Sequence, residues 1–160
     1  MRKHVRVFAV LAVCVLAYFG WTMLQPQKAV AANGIAGATY LVTITDASTG
    51  RFSSRGVITL NVDHSIAVID SGQGGPAFSF SSQQGAWENA PGNTVKARTL
   101  DFDFPSVDVA RLDYNFTTAS NDQAAGTIVL TTFPLTGNPL GSGGTVIGTF
   151  NFTGQRVTVP

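Results

Sequence analysis

From Ala36 onward, β-branched and aromatic residues recur in short runs with two-residue alternation, and no stretch keeps a helical apolar period over three turns. The runs predict strands over residues 38–46, 52–62, 65–70, 77–82, 85–89, 94–104, 107–118, 125–133 and 145–159. Between them fall clusters that favour turns, such as Ser48-Thr49-Gly50, Asp63-His64, Pro91-Gly92-Asn93 and Pro105-Ser106. Such short gaps imply hairpins between antiparallel neighbours and leave no room for crossover helices. The expected fold is all-β: a single antiparallel up-and-down β-barrel of about eight strands, with a β-sandwich as the alternative. Closure favours the barrel because it removes exposed strand edges.

The first 31 residues follow a different pattern. Arg2, Lys3 and Arg6 precede an uncharged apolar run over residues 7–24, and a polar stretch then ends in Ala29-Val30-Ala31. This is the order of a secretory signal, so residues 1–31 are expected to be a signal helix cleaved after Ala31, and residues 32–160 the barrel domain. The run is 18 residues long, longer than a usual signal core, so an uncleaved anchor in the inner membrane is the alternative. In both cases the domain is expected outside, in the periplasm or the medium.

Export changes the chemistry on offer. Cys14, the only cysteine, lies in the apolar run, so residues 32–160 hold no thiol and can form no disulfide. Four basic residues (Arg2, Lys3, Arg6, Lys28) leave with the signal, and six then face nine acidic ones, a charge of about −3. A mildly acidic body argues against nucleic acid as a partner, and membrane contact is expected only through an uncleaved N-terminal segment. His64, the one histidine left, sits in the turn Asp63-His64-Ser65; with no second ligand nearby neither a metal nor a cofactor is expected, and no catalytic residue is assigned. Gly72-Gln73-Gly74-Gly75-Pro76 lacks the Lys-Ser/Thr and the helix of a phosphate loop and is expected to be a turn. Asn115-Phe116-Thr117 and Asn151-Phe152-Thr153 match the glycosylation sequon within predicted strands.

The informative polar residues lie in Arg98-Thr99-Leu100-Asp101-Phe102-Asp103-Phe104 and Arg111-Leu112-Asp113-Tyr114. Alternation puts Asp101 and Asp103 on one face and Leu100, Phe102 and Phe104 on the other. A hairpin at Pro105-Ser106 would pair Arg98 with Asp113 and Leu100 with Arg111, making Arg98–Asp113 a cross-strand ion pair. The aromatic face is expected inward with the carboxylates solvated; the opposite facing would put desolvated carboxylates inside the barrel.

Gly85-Ala86-Trp87, the turn Pro91-Gly92-Asn93 and the long strand from Val95 to Phe102 resemble those of small exported bacterial proteins of unknown function. That resemblance implies a lipocalin-like or allene oxide cyclase-like barrel, an architecture that hosts binding, cyclisation and structural roles alike. The expected function is non-enzymatic binding of a small apolar ligand, in an interior lined by some of Phe78, Phe80, Trp87, Phe102, Phe104, Tyr114, Phe150 and Phe152. Trp87, Arg98, Asp101, Phe102, Arg111 and Tyr114 are the candidate binding residues. One alternative is a cyclase or isomerase using Asp101, Asp103 or Arg111 as its polar element. The other is an interaction or scaffold protein acting through the loops at 72–76 and 134–144.

Overall fold

A computed structural model describes residues 34–75, 79–120 and 122–160, all within a unit spanning Ala32–Pro160. The expected signal helix over 1–31 lies outside the described residues, as does Phe78. Nine strands follow in order: β1 (Ala38–Asp46), β2 (Phe52–Leu60), β3 (Ser65–Asp70), β4 (Ser79–Phe80), β5 (Gln83–Ala90), β6 (Thr94–Phe104), β7 (Asp108–Ser120), β8 (Gln123–Pro134) and β9 (Thr145–Arg156). Each of the eight long strands pairs antiparallel with its neighbours in sequence, and β9 returns to β1 through Tyr40↔Arg156 to Asp46↔Phe150. The sheet therefore closes as an eight-stranded up-and-down barrel, and the sandwich alternative is set aside. The β4 and β5 segments run as one broken strand along β6, Phe80 opposite Asp103 and Gln84 opposite Leu100.

The turns carry local chemistry that fixes the hairpins. Between β1 and β2, the Asp46 carboxylate accepts bonds from the backbone N–H groups of Ser48 (3.0 Å) and Thr49 (2.8 Å) and from both their hydroxyls, and Gly50 takes a positive φ of 69°. Those donors, the Ser48 and Thr49 hydroxyls foremost, hold the Asp46 carboxyl down at about 2. At the β2–β3 turn, Asp63 caps Ser65 in the same manner and His64 adopts φ 66°. The imidazole of His64 stacks on Trp87 at 4.7 Å between centroids. It is thus an exposed turn residue, as expected, with the added role of covering the tryptophan.

One end of the lumen is filled. Tyr40, Leu60, Ile66, Trp87, Val95, Phe116 and Phe152 meet there, each 3% exposed or less, and Ile35 enters from the Gly34–Gly37 turn to plug the end. An eight-stranded barrel has an interior just wide enough for such side chains to fill. Phe152 touches Phe116 and Tyr114 edge-on at 5.5 and 6.4 Å. At Gly85 of the Gly-x-Trp segment, β5 presses against β6 so closely that a Cβ would lie 1.8 Å from the Arg98 carbonyl oxygen, which only glycine accommodates.

The ladder β6–β7 has the expected register, with Arg98 opposite Asp113 and Leu100 opposite Arg111, but the faces are reversed. Val95, Ala97, Thr99, Asp101 and Asp103 point inward and are buried; Phe102 and Phe104 are on the outside, 50% and 44% exposed. The phase is set at the start of β6: an inward Phe102 would have carried Lys96 and Arg98, six and four residues earlier in the same alternation, into the apolar end of the lumen. Both sequon asparagines are exposed on the outer wall, flanking Thr127 in one cross-strand row.

Candidate functional site

The opposite end of the lumen is open. There the strands leave a cavity of about 280 Å³, whose wall is apolar on one side (Ile44, Ala110, Leu112, Leu130, Phe150) and acidic on the other (Asp70, Asp101, Asp103). No Lys, Arg or His lines it. The connections from β1 to β2, β3 to β5, β6 to β7 and β8 to β9 leave the sheet at this end, and those from β2 to β3, β5 to β6 and β7 to β8 at the other.

Each acidic residue is placed by its strand. Asp70 ends β3 in the same alternation as Ile66 and Val68, just past the last β3–β5 pair, Val68↔Gln83. Its two oxygens accept bonds from the Ser54 hydroxyl (2.8 Å) and the Gly72 N–H (2.7 Å). Asp101 and Asp103 continue the inward row of β6, and Phe80 stands beside Asp103 as its cross-strand partner. Asp108, first residue of β7, lies directly opposite Asp103.

Below the carboxylates a buried polar relay forms the floor. The hydroxyls of Tyr114 (2.5 Å) and Thr99 (3.1 Å) both donate to the Gln83 side-chain carbonyl. Burial raises the Tyr114 phenol above its ordinary range, with Asp101 and Asp70 adding in the same direction, so it stays protonated and acts as a donor.

Asp101 is strongly perturbed. It is 4% exposed, and its Oδ1 is buried without a hydrogen-bond partner. Burial first, and then the like charges of Asp103 and Asp70, push its carboxyl up to about 7. The Asp103 carboxyl is raised too, by burial and then by Asp108. A group poised near neutrality can hold or release a proton at small cost.

Of the residues expected to bind, Asp101 and Tyr114 line the cavity together. Trp87 points inward but belongs to the filled end, its indole N–H donating to the Asn61 carbonyl at 3.0 Å. Arg98, Phe102 and Arg111 are on the outer wall. Arg98 lies 2.6 Å from Asp113 in the expected ion pair, and Arg111 lies 2.9 Å from the other Asp113 oxygen, without a hydrogen bond from its Nε. The Arg111 guanidinium stacks over Phe133 and donates to the carbonyls of Pro139 (2.9 Å) and Gly141 (2.8 Å), pinning the β8–β9 loop to the barrel. Of the aromatics expected inside, Phe104 is outside with Phe102, Phe152 is core, and Phe80 and Phe150 reach the cavity.

Asp70, Gln83 and Ser54 were not among the expected residues. The alternation Ile66-x-Val68-x-Asp70 carries a signal for the first; nothing local marks Gln83, whose role depends on Thr99 and Tyr114 across two ladders.

Comparison with known proteins finds no family model, no curated protein and no solved structure that matches this chain.

Proposed function

We propose that this is an exported, non-enzymatic binding protein that holds a small, largely hydrophobic ligand in the open half of its barrel. The observation that carries this reading is the cavity of about 280 Å³ in the lumen, apolar on one wall and walled off from the outer surface by the sheet. The volume is close to the lower end of ligand pockets and equals the liquid volume of about nine waters at ~30 Å³ each, so the ligand is compact. The inward wall residues are supported from behind by strands on both sides, a rigid setting for a pocket.

The test is to plug the cavity. Ala110 is 1% exposed and lines it, so Ala110→Trp fills the space from the wall. Small alcohols titrated into the full-length protein are expected to shift the NMR methyl signals of Leu112 and Leu130, and Ala110→Trp to abolish the shifts. Equal shifts in both proteins, or none in either, would sink the proposal.

A second reading is supported by Asp101 itself. A buried carboxyl near neutral pH, in an apolar pocket beside a protonated tyrosine, is suited to move a proton during an isomerisation or cyclisation. In that case Asp101→Asn abolishes turnover with the fold intact, while binding persists.

A further inference from the structure

Resting on the reading that the lumen holds a ligand, we propose that the ligand is an organic cation: a protonated amine on a short apolar body, its ammonium seated against Asp101 between Asp70 and Asp103.

Three independent features lead there. Asp101 is 4% exposed and lines the cavity with one oxygen unpartnered, an acceptor left unmet by the protein itself. An ammonium brings three donors and no acceptor, which is what such a site lacks. Second, three of the cavity's side chains are carboxylates and none is basic, so the chain supplies no counter-charge of its own. Charges in a low-dielectric recess act strongly on whatever enters it, and here the field favours a cation. Third, Asp103 faces Asp108 directly across the β6–β7 ladder, an arrangement of like charges that destabilises a sheet unless something offsets it.

The apolar wall selects the kind of cation. Ile44, Leu130 and Phe150 line the cavity from β1, β8 and β9, away from the β3 and β6 strands that carry the carboxylates, so a ligand filling the space has one charged and one apolar end. Among the described residues no group of three His, Cys, Asp or Glu is gathered closely enough to hold a metal ion, which favours an extended molecule over a bare cation. The groups facing Asp101 from the packed elements are Asp70 on β3, Asp103 on its own strand and the neutral phenol of Tyr114 on β7, with Asp108 beyond beside Asp103; burial first, then the charges of Asp103 and Asp70, disfavour its ionised form. An incoming ammonium reverses that preference, so binding drives a proton off Asp101, and affinity rises with pH between about 5 and 8.

Calorimetry on the full-length protein with 2-phenylethylamine, 2-phenylethanol and phenylacetate separates the possibilities, since the three share an apolar body and differ in charge. The amine is expected to bind at least about tenfold more tightly than the alcohol, and phenylacetate not at all. At pH 6, amine binding should release a proton, seen as a heat that varies with the ionisation enthalpy of the buffer. Asp101→Asn should remove that release and weaken the amine about tenfold or more, far more than it weakens the alcohol. Should Asp101→Asn fail to fold, Asp103→Asn is expected to weaken the amine selectively as well. Equal affinities for amine and alcohol overturn the cation proposal and leave the pocket standing; tighter binding of phenylacetate overturns it too. If no probe binds either the native protein or Ala110→Trp, the pocket reading falls as well.

Discussion

At the closed end of the barrel the inward side chains meet one another and Ile35 seals them in, whereas at the mouth the same strands carry carboxylates and stop short of contact. β6 shows the change within one strand: Val95 and Ala97 pack into the filled half, Thr99 joins the polar floor, and Asp101 and Asp103 face the cavity. Packing at one end makes the burial of charge at the other affordable. Each fully buried apolar side chain contributes about 1.5–3 kcal/mol, enough to offset several kcal/mol of unfavourable polar burial.

The widest separation between the two halves should appear on β9, where Phe152 and Phe150 point the same way two residues apart. Phe152 is 2% exposed among Tyr114 and Phe116, and Phe152→Ala should cost about 3–5 kcal/mol in chemical denaturation. Phe150 borders empty space, and Phe150→Ala should cost about 1–2 kcal/mol. Equal losses would erase the distinction between a filled and an open half.

The pH dependence of stability sharpens the contrast from the acidic side. The Asp101 carboxyl is raised in the folded protein from 3.8 to about 7, so the fold binds its proton more tightly than the unfolded chain does. Its favourable contribution is complete below about pH 4 and is lost as pH rises through 7. Ionisation costs up to about 4 kcal/mol for such a shift, screened to about 2 kcal/mol by water in the open mouth. Thermal melts should therefore fall between pH 5 and pH 8, and Asp101→Asn should flatten that decline and be the more stable protein at pH 8. A native protein as stable at pH 8 as at pH 5 would contradict the burial assigned to Asp101.

The smallest effect is expected on the outer wall. The Arg98–Asp113 pair is half open to solvent, and Arg98→Ala should change stability by less than about 0.5 kcal/mol, with any effect removed by salt. A large loss would mean that the wall, and not the filled end, bears the stability.

Much of the architecture was legible because period-two alternation and turn residues are local: the strands at 38–46, 65–70 and 94–104 begin and end where the pattern placed them. The β6–β7 register was legible too, since the hairpin at Pro105-Ser106 defines it. The facing of β6 was not, because the weight given to Leu100, Phe102 and Phe104 outran that of Lys96 and Arg98, which share their phase. Half of the site was therefore hidden: Asp101 and Tyr114 were named, but the third carboxylate of the cavity, Asp70, and the acceptor of its polar floor, Gln83, are brought in from other strands.

Closure of the barrel carries a consequence for how the chain folds. Seven of its eight joints link strands that follow one another along the chain and can zip up as hairpins, whereas the β1–β9 seam pairs residues as far apart as Tyr40 and Arg156. The loop entropy of that seam is met late, after the local ladders exist, in keeping with the slower folding of chains with distant contacts. Until it forms, the molecule is an open sheet with two bare borders, each a template for another chain. The step that completes the vessel is thus also the one that protects it from sticking to its own kind.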